Sequence, residues 1–268
     1  MRSGFWLLAL LGLSVRLARA QDIPPALQQT CAKDLNLCCD LADMYRIGQG
    51  ASRDYAVAAG LYRQACDGGE ARGCTDLGML YSFGWGVAKD DARAEALYSQ
   101  GCKGGNATGC NNLGAMYRDG QGVVARDYGR AAAIFARTCG AGDLDGCVNL
   151  GDMVAHGKGV MKDPPQAAAL YRKACSGGNA VGCDDLGVMY RDGEGVKRDN
   201  ARAAGLFKQA CDGGRAAGCC NLGDRYAKGR GVAKDAARAA ALFKQACEGG
   251  VRLGCERLQK MSADHPSP

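Results

Sequence analysis

Cysteine is the residue type best placed to do chemistry in this chain, and its sixteen copies follow a rule. Cys66, Cys102, Cys139, Cys175, Cys211 and Cys247 recur every 36 residues with one interval of 37. A second series, Cys74, Cys110, Cys147, Cys183, Cys219 and Cys255, follows at a constant offset of eight. Paired thiols can hold zinc, act as redox nucleophiles or close disulfides. Zinc knuckles use spacings of about two to four residues, with histidine as the common co-ligand. An offset of eight, with only His156 and His265 in the whole chain, argues against a metal centre, and no cofactor is expected.

A period of 36 residues means that one structural unit is repeated, so the elements that position the cysteines can be read from a single unit. Cys110, Leu113, Gly114 and Tyr117 stand at i, i+3, i+4 and i+7, one face of a helix that Gly120 ends. After a Gly-x-Gly loop an aspartate recurs at Asp54, Asp90, Asp127, Asp163, Asp199 and Asp235, where its carboxylate can cap a second helix. Pro164 fits the first position of such a helix. The second helix carries Leu206, Phe207, Ala210 and Cys211 and stops at Gly213-Gly214. The unit is therefore helix, loop, helix and tight turn, stacked into an all-α solenoid.

The eight-residue offset then places one cysteine at the end of a helix and the next in the opening turns of its antiparallel neighbour. Small residues allow those Cα atoms to come within the ~4.4–6.8 Å a disulfide requires. The expected pairs are Cys66–Cys74, Cys102–Cys110, Cys139–Cys147, Cys175–Cys183, Cys211–Cys219 and Cys247–Cys255. In the first hairpin Cys31 has two candidate partners. Keeping the offset of eight selects Cys39, whereas alignment on Leu41 and Tyr45 selects Cys38. Cys31–Cys38 is favoured, because a cysteine three before the repeated leucine faces the packed side. Cys39 and Cys220 are then surplus thiols.

Residues 1–20 combine Arg2, an apolar run from Phe5 to Val15 and the small-x-small end Ala18-Arg19-Ala20, the form of a secretory signal peptide. Dense cysteines behind such a segment suit an oxidising compartment, secreted or periplasmic. A leader with arginines and no acidic residue leaves a mitochondrial address, and so the intermembrane space, as the alternative. Residues 21–30 read as a lead-in with a partial repeat, 31–260 as the solenoid and 261–268 as a disordered tail. Without Arg2, Arg16 and Arg19 the formal charge falls from +6 to +3, too little to argue for nucleic acid. No later apolar run reaches the ~20 residues that span a bilayer.

The stretches Asp-Leu-Gly-Val-Met-Tyr-Arg-Asp-Gly-Glu-Gly-Val at 185–196 and Ala-Ala-Leu-Phe-Lys-Gln-Ala-Cys-Glu-Gly-Gly at 240–250 closely resemble Sel1-like repeats, relatives of the tetratricopeptide repeat. The cysteine spacing is similar to that of the Hcp-type cysteine-rich subfamily. The resemblance implies an α/α right-handed superhelical solenoid of about six repeats, often an adaptor for a protein or peptide partner. It also brings the name β-lactamase-like, and with it weak β-lactam binding or hydrolysis as an alternative function. None of Ser3, Ser14, Ser52, Ser82, Ser99, Ser176, Ser262 or Ser267 has a lysine three positions on, as a serine penicillin-recognising enzyme needs. Two histidines cannot assemble a hydrolytic metal site, so no catalytic residue is assigned.

By the same resemblance the polar residue before each repeated leucine, Asp40, Asp76, Asn112, Asn149, Asp185 and Asn221, lines a concave groove and bonds a bound peptide backbone. The alternative is that these side chains bond neighbouring helices or water. Arg118 and Arg191, five after the leucine, could meet a ligand carboxylate at the rim or simply favour the helix dipole. Trp85 replaces the polar residue of the other Gly-x-Gly loops, as a partner contact or by packing on Phe83. His156 ends a helix, where it caps or is solvated. Cys39 and Cys220, one residue before the ladder, are expected on the groove side, open to a covalent dimer, a client or a redox or assembly role. Burial as small hydrophobes is the competing reading.

Overall fold

The computed structural model describes Gln29, Cys31, residues 34–122 and residues 125–264. The expected signal segment and, Gln29 apart, the lead-in at 21–30 lie outside the described residues. All regular structure among the described residues is α-helical, and from Leu35 onward it forms thirteen helices of 13 residues. None of them is long and apolar enough to cross a membrane. The chain divides into two units, residues 1–109 and 110–268.

The first unit contains α1 (Leu35–Ile47), α2 (Tyr55–Asp67), α3 (Ala71–Phe83) and α4 (Asp91–Lys103). The helix α5 (Ala107–Asp119) carries the boundary. The second unit continues with α6 (Tyr128–Gly140), α7 (Leu144–His156), α8 (Pro164–Ser176), α9 (Ala180–Asp192), α10 (Asn200–Asp212), α11 (Ala216–Lys228), α12 (Ala236–Glu248) and α13 (Arg252–Asp264). Within each unit a helix packs on the one before it and the one after it. The last helix reaches Asp264, so the tail expected from 261 is helical for its first four residues.

Each expected aspartate caps its helix, and it does a second job. The Asp199 carboxylate accepts from the Ala201 and Arg202 N–H groups at 3.0 Å, while its own N–H donates to the Tyr190 carbonyl at 2.9 Å. The start of α10 is thereby tied to the last turn of α9, closing the loop from both sides. Asp54, Asp90, Asp163 and Asp235 repeat both contacts. Pro164 opens α8, where its missing N–H costs nothing.

Helices joined by the tight turn approach closely because glycine precedes the second cysteine. A Cβ on Gly182 would stand 2.6 Å from the Ala174 Cβ and 3.1 Å from the Cys175 N. Glycine there lets α9 lie against α8 with Cys175 and Cys183 Cα atoms 4.5 Å apart, joined as a disulfide. Cys31–Cys38, Cys66–Cys74, Cys139–Cys147, Cys211–Cys219 and Cys247–Cys255 are bonded likewise, with Cα separations from 4.4 to 4.7 Å. Cys102 and Cys110 are also disulfide-bonded. Each bridge closes a short loop and contributes about 2–3 kcal/mol in the chain-entropy view.

Within a hairpin a second device operates. An aromatic ring of the second helix lies on a glycine of the first, Phe207 on Gly187 and Phe243 on Gly223. A Cβ on Gly187 would come 2.7 Å from the Phe207 ring, so the ring, fully buried, has nowhere to go. By contrast Gly205, exposed in α10, has nothing within 4 Å of its would-be Cβ. Two Gly→Ala changes should therefore differ in sign. Gly187→Ala should lose about 1–3 kcal/mol to overpacking, and Gly205→Ala should gain about 0.5–1 kcal/mol from helix propensity and unfolded-state entropy. Urea unfolding midpoints decide it, and equal shifts of the two variants would contradict the packing assigned to Phe207.

Candidate ligand-binding face

The polar residue before the repeated leucine sits in the middle of the first helix of each hairpin, half-buried except for the exposed Asp40. In the first unit these side chains are drawn into one charged cluster. Arg72 of α3 donates to Asp40 at 2.7 Å and to Asp43, and its Nε stands 3.7 Å from Asp76. Asp43 further accepts from Arg46 at 2.6 Å and from the Tyr62 hydroxyl at 2.7 Å. Burial alone would raise the Asp43 carboxyl, but the Tyr62 and Arg46 hydrogen bonds outweigh it and hold it below the usual range. Asp76 goes the other way, pushed up to about 6 by burial and the Asp43 charge.

The second unit leaves its ladder more open. Asn149 on α7 accepts a long 3.4 Å bond from Arg118, and Asn221 on α11 donates to Asp184 of α9 at 2.7 Å. These two therefore bond neighbouring first helices, as the competing reading of the sequence held. Asn112 is half-buried on α5. Asp185 differs. Burial and the nearby Asp152 and Asp184 carboxylates push it up to about 7, and only the charges of Arg215 and His156 oppose them, without a hydrogen bond. Its neighbour Asp152 is occupied, accepting from the Tyr171 hydroxyl at 2.5 Å.

The rim arginines are also engaged by their own chain. Arg118 forms two bonds to Asp119 at 2.8 and 2.9 Å, and Arg191 two to Asp192 at 2.7 Å. Trp85 stacks on Phe83 at 4.7 Å and on Tyr55 at 5.5 Å, so the packing reading holds while part of the indole stays exposed. His156 Nδ1 lies 2.8 Å from the Asp152 carbonyl, a helix-end contact.

The surplus thiols require a correction. Cys39 and Cys220 are free, as expected, but both are buried and face no groove. Their column, one residue past the pairing cysteine, holds Thr75, Val148 and Asp184 in other repeats, all buried. Cys220 packs with Ala239, Phe243 and Ala246 of α12. Burial pushes the Cys39 thiol up to about 12 despite Arg72, and raises Cys220 as well. Buried protonated thiols are poor nucleophiles, so covalent dimerisation or client capture through them loses its premise. Among the described residues no group of His, Cys, Asp or Glu is placed to hold a metal ion.

Two features escaped the sequence reading. The ring column of the second helices is tyrosine at Tyr62 and Tyr171, where Asp43 and Asp152 supply an acceptor, and phenylalanine at Phe135 and Phe207, opposite Ala115 and Val188. The rule fails at Tyr98, opposite Met79, and at Phe243, opposite Asp224, so no correlation between columns announces the pairing in the sequence. The other is Arg225, almost fully buried.

Repeated hairpins of this geometry define an α/α repeat protein, and the family model named Sel1 repeat matches residues 37–70, 71–106, 107–143, 144–179, 180–214 and 216–251. The chain belongs to the Sel1 repeat family. Among solved structures it is similar to c5321, described as a protective antigen of uropathogenic Escherichia coli with an SLR fold. The identity there is 30%, over 89% of this chain and 51% of that one, with a TM-score of 0.74. This chain thus spans about half the length of that relative. A Sel1 repeat protein from Oxalobacter formigenes shares 23% identity over 83% of this chain and 87% of that one, with a TM-score of 0.75. Helicobacter pylori cysteine rich protein B shares 29% identity over 50% of this chain and 96% of its own, with a TM-score of 0.41. The sequence matches no curated protein.

A carboxyl raised to about 7 when folded, against 3.8 for the free group, binds its proton more tightly in the folded state. It leaves stability intact below about pH 4 and removes it as pH rises through about 7. Asp185→Asn should therefore match wild type in unfolding free energy at pH 4 and exceed it by about 1–3 kcal/mol at pH 8. An Asn variant with the same offset at both pH values would show that Asp185 ionises normally.

Proposed function

We propose that this chain is a binding scaffold for a protein or peptide segment, held along the first helices of the second unit by Asn149, Asp185 and Asn221. The observation that carries this reading is Asp185: a half-buried carboxyl raised to about 7 with no hydrogen bond of its own. Such a group gains most from an incoming backbone N–H, which would supply the bond it lacks and favour its charged form. Amide groups of Asn149 and Asn221 beside it offer both donors and acceptors. An extended backbone could displace the long Arg118 contact of Asn149 and use the amide oxygen that Asn221 keeps beside its bond to Asp184, giving affinity with modest side-chain selectivity. The disulfide density supports work in an oxidising compartment, secreted or periplasmic, with the mitochondrial intermembrane space as the other such site.

The test is affinity capture from the native compartment without reductant, using wild type and the triple variant Asn149→Ala, Asp185→Ala, Asn221→Ala. The expected result is a protein retained by wild type and lost at least ~10-fold by the variant, a difference of ~1.4 kcal/mol, with helical content unchanged. Equal retention by both, or no protein retained by either, would remove this face as the binding site.

A further inference from the structure

At the third position after the repeated leucine the chain carries Met44, Leu80, Met116, Met153, Met189 and then Arg225. Five repeats place an apolar side chain in this column; the sixth places a guanidinium there and buries it, at 5% exposure. Its Nε has no hydrogen-bond partner. An unpartnered buried donor on a charged group is expensive, and Met at the same place would be cheap. A helix-dipole role does not account for it, because a cation that serves the helix end should bond the terminal carbonyls or stay in water.

Arg225 opens into a cavity of ≈ 440 Å³ at the loop ends of two consecutive hairpins. The cavity is bounded by the ends of α9 and α11 and the loops that follow them, and its cations are Arg191, Arg198, Arg225, Lys228 and Arg230. Two of the five are compensated: Arg191 is held by Asp192 at 2.7 Å, and Lys228 stands 3.6 Å from Asp224, which also has Arg257 at 3.9 Å. Among the described residues Arg198, Arg225 and Arg230 form no ion pair. Burial and the charges of Arg191 and Arg230 lower the Arg225 guanidinium from its ordinary value, and the charges of Asp224 and Asp192 only partly offset them. Arg230 stands where other Gly-x-Gly loops carry Gln49, Trp85, Gln121, Lys158 and Glu194, a variable loop position.

We infer that this cavity is a binding site for a phosphate-class oxyanion, either free phosphate or the terminal group of a phosphate monoester. Three guanidinium groups without an ion pair give the cavity an excess of positive charge that a compact dianion would largely answer, and their planar forks match its oxygens in hydrogen-bonding geometry. Arg225 lines the cavity from α11, with Arg198 and Arg230 contributed by the two loops. A single carboxylate would leave most of this charge unanswered. The site lies apart from Asn149, Asp185 and Asn221 and does not depend on their role.

Arg225→Met restores the residue of the other repeats, so the variant should fold and, in phosphate-free chloride buffer, melt above wild type. Isothermal titration of wild type with inorganic phosphate at constant ionic strength should give saturable binding with Kd below ~1 mM. Arg225→Met and Arg230→Gln should each weaken it at least ~10-fold, the loss expected for a charge-assisted bond. Titration with glycerol 3-phosphate separates the two sources: tighter binding than phosphate identifies a monoester site, weaker binding a site for the free ion. Acetate should not bind. Absence of saturable phosphate binding up to ~10 mM, or binding unaffected by Arg225→Met, would overturn the proposal.

Discussion

The fold depends on the close approach of successive helices across a tight turn. Between α8 and α9 the backbone comes near enough that only glycine fits at position 182. The same approach brings Cys175 and Cys183 within bonding range. Everything larger follows from repeating that contact. Helices pack mainly on their chain neighbours, with a smaller contact between α9 and α11, so each hairpin is held by a ring seated on a glycine and stapled by a disulfide to the next hairpin. No wide apolar core is required, which is why a chain with 6% aromatic residues and 41 glycines can fold.

Periodicity made the fold readable. The capping aspartates, the Gly-Gly turns and the local disulfides each rest on residues close in sequence, and each recurs often enough to be separated from chance. The choice of Cys38 over Cys39 was readable for the same reason, since the repeated leucine sets the helical phase. Contacts between first helices were not. Arg72 reaches back to Asp40 and Asn221 reaches back to Asp184 across roughly one repeat, and no local pattern encodes such a pairing. The orientation of Cys39 and Cys220 failed differently. A position adjacent to a groove column lies 100° around the helix from it, and in this packing that rotation carries it into the interior.

Departures from the repeat locate the chemistry that the repeat cannot supply. Arg225 breaks an apolar column, and Asp185 sets a carboxyl beside two others where Asn112, Asn149 and Asn221 carry an amide, so each costs stability that those other residues would restore. Both lie in the second unit. In the first unit the charges answer one another, with Arg72 and Arg46 set against Asp40, Asp43 and Asp76. The two units thus share a scaffold while differing in how much polar capacity they leave unspent.

The central claim is that stability is local, held by each staple and its neighbours. Hydrogen exchange on a variant with Cys175→Ala and Cys183→Ala tests it most directly. If stability is local, amide protection should fall in α8 and α9, fall less in α7 and α10, and stay at wild-type values in α2 and α13. A uniform loss of protection across every helix would contradict it, and would mean that the array unfolds as one cooperative body.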